Sequence, residues 1–122
     1  MADQITVLVV EDEDLIRMDI ADYLEREGFK VFEAAHAYAA IELLEAHPSM
    51  SILFTDIVMP GSMDGLKLAV AVRSRWPPVK IVIVSGYRLI EITDMPDGGV
   101  FFSKPYTHGA VAAAFRQLMA DG

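Results

Sequence analysis

This sequence predicts an α/β fold built on one doubly wound parallel sheet of five strands in the order 2-1-3-4-5. Three observations carry that expectation. Five short apolar runs alternate with helical stretches along the chain, which gives βαβ units, a parallel sheet and right-handed crossovers. The stronger runs are apolar at nearly every position rather than at alternate ones, as in strands covered on both faces. Four of the five runs also stop at a residue able to do chemistry: Glu11, Asp56, Ser85 and Lys104.

Ile5 to Val10 is β-branched and almost wholly apolar, and it runs straight into Glu11-Asp12-Glu13-Asp14. Leu15 to Glu27 reads as a helix, with Ile16, Ile20, Tyr23 and Leu24 on one stripe and Gly28 as its stop. Lys30 to Ala34 is a weaker strand, expected at an edge. Ala37 to Ala46 forms a second helix with Ile41 and Leu44 inward, ended by His47-Pro48. The third strand, around Ile52-Leu53-Phe54, delivers Asp56 to a loop containing Met59-Pro60-Gly61. Leu66 to Arg75 is a third helix, stopped by Trp76-Pro77-Pro78, and Val79 to Val84 is the fourth strand. Tyr87 to Thr93 is patterned only for a short or irregular helix. Val100 to Ser103 is the fifth strand, and Thr107 is the expected cap of a last helix that turns Val111, Phe115, Leu118 and Met119 inward.

Length and composition set the class. At 122 residues the chain fits one domain, 1–122, and its 53% hydrophobic content suits a filled core. No apolar run approaches the roughly 20 residues needed to span a bilayer, and the first residues lack the basic and apolar regions of a signal peptide. The absence of cysteine excludes disulfides and thiolate metal sites and fits a reducing cytoplasm, where the protein is expected. A net charge of −8 repels phosphate backbones, so no direct nucleic-acid binding is expected.

In a doubly wound sheet the C-terminal strand ends open on one edge, beside the crevice where strand order reverses. Glu11, Asp12 and Asp56 would meet there with Ser85 and Lys104. Three carboxylates held together raise one another's pKa unless a cation lies among them. All-oxygen ligands in a small open cluster suit Mg²⁺. Beside such an ion Asp56 is placed as a nucleophile toward phosphorus, with Lys104 and Ser85 on the phosphoryl oxygens; positioning and charge neutralisation are what phosphoryl transfer requires. Glu13 and Asp14 read instead as acids favoured by the start of a helix.

With these residues assembled, the sequence resembles the receiver domain of two-component response regulators over essentially its whole length. The matching pieces are Glu11-Asp12, Asp56 with Met59-Pro60, Asp64-Gly65, Ser85-Gly86 and Lys104-Pro105. Each piece alone is weak, but the ordered set at these strand ends is specific. The resemblance implies a flavodoxin-like receiver fold and a signalling phosphoacceptor rather than a metabolic enzyme.

 Asp56 is implied as the phosphoacceptor, taking a phosphoryl group from a histidine kinase or histidine phosphotransfer protein and slowly losing it to water. Glu11, Asp12 and Asp56 would hold Mg²⁺ with the Val58 backbone carbonyl. Lys104 would contact the phosphoryl group, its bond to Pro105 being cis. Ser85 and Phe101 match the two switch positions, and phosphorylation would shift an existing equilibrium toward the form that binds a downstream protein. In the family the first helix meets the histidine-bearing partner, so the off-stripe Leu15 and Met18 are expected to help dock it, with Pro60 and Tyr106 on the same partner surface.

Alternatives carry less. A haloacid-dehalogenase type phosphatase needs a second Asp where this chain has Val58, and an FMN carrier needs a phosphate loop where this chain has four acids. A degenerate receiver that binds proteins without phosphate conflicts with the complete set of site residues. His36, His47 and His108 fall at helix boundaries and read as surface or capping groups. Two departures from the family pattern stand out: one extra residue between Met59-Pro60 and Asp64-Gly65, and a shortened stretch from Ser85 to Phe101. The second puts the usual dimer of the family in question. The last helix ends close to Gly122, as in a stand-alone receiver or one cut from a longer protein.

Overall fold

The computed structural model describes residues 4–57, 64–86 and 98–121. Its strands are β1 (Thr6–Val10), β2 (Lys30–Ala34), β3 (Ile52–Asp56), β4 (Lys80–Ser85) and β5 (Val100–Ser103). Its helices are α1 (Asp14–Arg26), α2 (Ala37–Ala46), α3 (Gly65–Arg75) and α4 (His108–Asp121). All four strand pairings are parallel, in the order β2-β1-β3-β4-β5, so the expected sheet is the one observed and β2 lies at its edge. The helix expected over 87–93 lies outside the described residues.

The apolar runs have a simple cause. Successive side chains of a strand point to opposite faces, and here both faces are covered. Leu8, Val10, Leu53, Ile81 and Ile83 pack against Leu44 of α2 and Leu68 and Val72 of α3. Their neighbours Val7, Val9, Ile52, Phe54, Val82 and Val84 pack against Ile20 and Leu24 of α1 and Val111 and Phe115 of α4. On this second face Phe115 meets Phe29 and Phe54 edge-on, with ring centroids 5.9 and 5.4 Å apart. Such edge-to-face pairs suit the ring quadrupoles and add to the burial of their area.

Local signals end the helices where they should. Gly28 takes φ 97°, which lets its N–H reach the Glu25 carbonyl and that of Phe29 reach the Leu24 carbonyl. That is the Schellman arrangement, and glycine enters it without Cβ strain. Asp64 caps α3 by accepting from the Lys67 N–H at 2.9 Å, and Thr107 caps α4 by accepting from the Ala110 N–H at 3.2 Å. His36 does the same for α2 through Nδ1. His47 is exposed and lies against the Phe32 ring, whereas His108 is half buried between Tyr23 and Tyr106.

Candidate functional site

Strand register brings the chemistry to one level. Asp56 is the last residue of β3 and pairs with Val84, so β4 extends one residue further, to Ser85. Ser85 pairs with Ser103 at the end of β5, and its carbonyl accepts from the Lys104 N–H at 2.9 Å. On the other side of β3, β1 ends at Val10, and the Glu11 N–H donates to the Ala34 carbonyl of β2 at 3.0 Å. Four strands thus deliver Glu11, Asp12, Asp56, Ser85 and Lys104 to one sheet edge, although up to 93 residues separate them in sequence.

Lys104 joins the group. Its Nζ donates to Asp56 Oδ2 at 2.6 Å and to Glu11 Oε1 at 3.2 Å, while Glu11 Oε2 accepts from the Glu13 N–H at 3.0 Å. Glu11, Asp56 and Ser85 are buried and Asp12 is exposed. Glu11, Asp12 and Asp56 each offer a carboxylate oxygen within 4.8 Å of the others. This all-oxygen set, open through Asp12, fits a hard divalent ion such as Mg²⁺. Val58, expected to add a backbone carbonyl, and Pro60 lie outside the described residues.

The charges shape one another. Burial pushes the Glu11 carboxyl up from 4.5 to about 6, the Asp56 charge adds to that rise, and the Glu13 amide and Lys104 act against it. For Lys104, burial acts downward, but its hydrogen bond to Asp56 and the charges of Asp56 and Glu11 outweigh it and leave the ammonium above its ordinary range. Lys104 is therefore a fixed cation at neutral pH. Burial also raises the Tyr106 phenol to about 12, so it stays neutral.

Backbone contacts set the height of Asp56. The Thr55 hydroxyl donates to the Asp56 carbonyl at 2.9 Å, and the Gly65 N–H donates to the Ile57 carbonyl at 2.9 Å. A Cβ added at Gly65 would overlap the Asp56 carbonyl oxygen. Asp64-Gly65 therefore acts twice, capping α3 and allowing that helix to start against the end of β3. Sequence spacing marks the dipeptide without disclosing this contact.

The remaining expected residues surround this centre. The Lys104–Pro105 bond is cis. Phe101 is partly exposed on β5, and Tyr106 packs edge-on against Phe54 with centroids 5.7 Å apart. Leu15 and Met18 project from α1 with 84% and 56% of their surface exposed. Beside Lys104, a cavity of about 460 Å³ is lined by Ile16, Asp19, Lys104, Pro105, Tyr106 and His108. His108 Nε2 lies 3.4 Å from Asp19 Oδ2, a contact between α4 and α1 that its place at a helix boundary does not reveal.

This sheet, with three carboxylates and a lysine at its C-terminal edge, defines a response-regulator receiver. The family model for the response regulator receiver domain matches residues 7–115, and the chain belongs to that family. It is 33% identical over 103 residues to the response regulator receiver protein CpdR of Brucella abortus, covering 82% of this chain and 84% of that protein. It is 42% identical over 83 residues to the sensor kinase CckA of the same organism, which is 67% of this chain but 9% of that protein. The chain thus spans a small part of several curated relatives, including 18% of a putative NtrX-like response regulator of Rickettsia bellii. A receiver protein from Sinorhizobium medicae superposes with a TM-score of 0.89 at 27% identity, over 97% of this chain and 96% of that one. Phosphorylation, Mg²⁺ binding and interaction with histidine kinases or phosphotransfer proteins are general properties of receiver domains. Among the described residues, no helix is long and apolar enough to cross a membrane.

The Glu11 environment predicts its titration. In metal-free protein, the Glu11 carboxyl carbon should titrate near pH 6, followed by NMR. Asp56→Asn removes a neighbouring negative charge and should lower that midpoint; Lys104→Met removes a positive one and should raise it. Because the folded protein holds this proton more tightly than the unfolded chain does, Glu11 favours folding below about pH 4.5 and loses that contribution as pH rises through about 6. A midpoint near 4.5 would contradict the burial argument.

Proposed function

We propose that this receiver accepts a phosphoryl group on Asp56 from the phosphohistidine of a histidine kinase or phosphotransfer protein, and that the resulting acyl phosphate switches its binding to a downstream protein. The observation that carries this reading is the Lys104 ammonium 2.6 Å from Asp56, inside a cluster whose other carboxylates, Glu11 and Asp12, point to a divalent ion. Bound Mg²⁺ would lower the repulsion between an anionic phosphoryl group and an anionic nucleophile.

The protein's own groups have defined parts. An Asp56 carboxylate oxygen attacks phosphorus, the new O–P bond replaces the N–P bond, and the departing imidazole keeps the electron pair. Lys104 holds one Asp56 oxygen and offers a cation to the phosphoryl oxygens. Ser85, at the end of β4, would hydrogen-bond the phosphoryl group as the phosphorylated form settles. Hydrolysis then returns the carboxylate and releases phosphate. The role is signalling, with a chemistry that the domain itself supplies.

For the donor, exposed Leu15 and Met18 on α1, together with the cavity beside Lys104 that Ile16 and Asp19 of the same helix line, would form an approach to the acidic edge. A histidine-bearing helix seated there would bring its phosphoryl group toward Asp56.

Incubation with acetyl phosphate and Mg²⁺ should add one phosphoryl group to the intact protein, seen by mass spectrometry, and Asp56→Asn should abolish it. An unmodified native protein, or equal labelling of the variant, would overturn the reading. Replacing Leu15 and Met18 together with Glu should slow transfer from a phosphohistidine donor protein and leave labelling by acetyl phosphate unchanged. Equal slowing with both donors would remove these residues from docking.

A further inference from the structure

Arg17 lies one turn into α1 and is largely buried, with 14% of its side chain exposed. Its guanidinium reaches three separate parts of the fold. Nη1 donates to the Glu11 carbonyl at 2.8 Å, Nη2 to Asp14 Oδ1 at 2.8 Å, and Nε to Glu33 Oε1 of β2 at 3.3 Å. The neighbouring β2 residue, Ala34, accepts the Glu11 N–H. The Glu11 backbone is thereby held on both sides, through its N–H by β2 and through its carbonyl by an arginine that is itself braced on β2.

That carbonyl belongs to the planar peptide joining Glu11 to Asp12. Fixing it sets the direction in which both acidic side chains leave the backbone. Groups that orient metal ligands in this way often matter nearly as much as the ligands. We infer that Arg17 is a positioning residue for the Mg²⁺ site, holding the Glu11–Asp12 peptide so that the two carboxylates converge with Asp56. This rests on the Mg²⁺ reading above.

Charge and positioning predict opposite signs. Arg17 is a cation near a cation site, so if it acted through charge alone, its neutralisation would tighten Mg²⁺ binding. If it positions the peptide, neutralisation weakens binding despite that electrostatic relief. Lysine separates the two further, because it keeps the charge and loses the planar fork that serves three acceptors.

The test is calorimetric titration of the full, unphosphorylated chain with Mg²⁺, for the native protein, Arg17→Gln and Arg17→Lys. Folding is checked by circular dichroism, and the amide signals of Asp12 and Glu13 are followed by NMR without metal. Arg17→Gln should weaken Mg²⁺ binding about tenfold or more. Arg17→Lys should also weaken it, and the Asp12 and Glu13 amides should shift in both variants before any metal is added. Unchanged or tighter binding by folded Arg17→Gln would overturn the inference. So would native affinity in Arg17→Lys, which stays decisive if the Gln variant does not fold. A native protein that binds no Mg²⁺ defeats the underlying reading; native binding matched by both variants defeats only the role of Arg17.

Discussion

The contact between Lys104 and Asp56 links the two halves of this fold. It joins the end of β3 to the end of β5 across 48 residues, and it places the ammonium against two buried carboxylates. Burial alone would favour the neutral forms of Lys104 and Glu11. The Asp56 and Glu11 charges outweigh that cost for Lys104, while Lys104 offsets only part of it for Glu11, whose carboxyl stays above its ordinary range. A residual acidic excess is a suitable setting for a divalent cation, and a lysine already on Asp56 suits the phosphoryl group proposed for that residue.

The sheet makes that contact a matter of register. Asp56 opposite Val84, Ser85 opposite Ser103, and the Lys104 N–H on the Ser85 carbonyl align the strand ends. A slip by one residue would also turn the core-facing side chains to the other face. Packing on both faces therefore guards the alignment of the site, and Gly65 lets α3 press against the end of β3 without displacing Asp56.

Much of this is written locally in the chain. Lys30–Ala34, Ala37–Ala46 and Val100–Ser103 have the bounds their patterns indicate. Differences at other ends come from partners elsewhere. β4 begins at Lys80 rather than Val79 because the Val79 N–H closes a turn onto Trp76, while the Lys80 N–H joins the neighbouring Ser51 carbonyl. Glu11, Asp12, Asp56 and Lys104 are legible because strand ends in a parallel sheet share an edge. Arg17 is not, since its acceptors at Glu11 and Glu33 meet only once β2 lies beside β1. Phe101 and Phe102 are alike in sequence, and only the sheet shows that Phe101 is the more exposed.

The measurement that bears most directly on the role of Asp56 is the location of the phosphoryl group. After reaction with acetyl phosphate and Mg²⁺, borohydride reduction traps an acyl phosphate as a stable alcohol, and peptide sequencing by mass spectrometry finds the reduced residue. A phosphoacceptor role for Asp56 predicts reduction at that residue alone. Reduction at Glu11 or Asp12, or at no carboxylate, would contradict it.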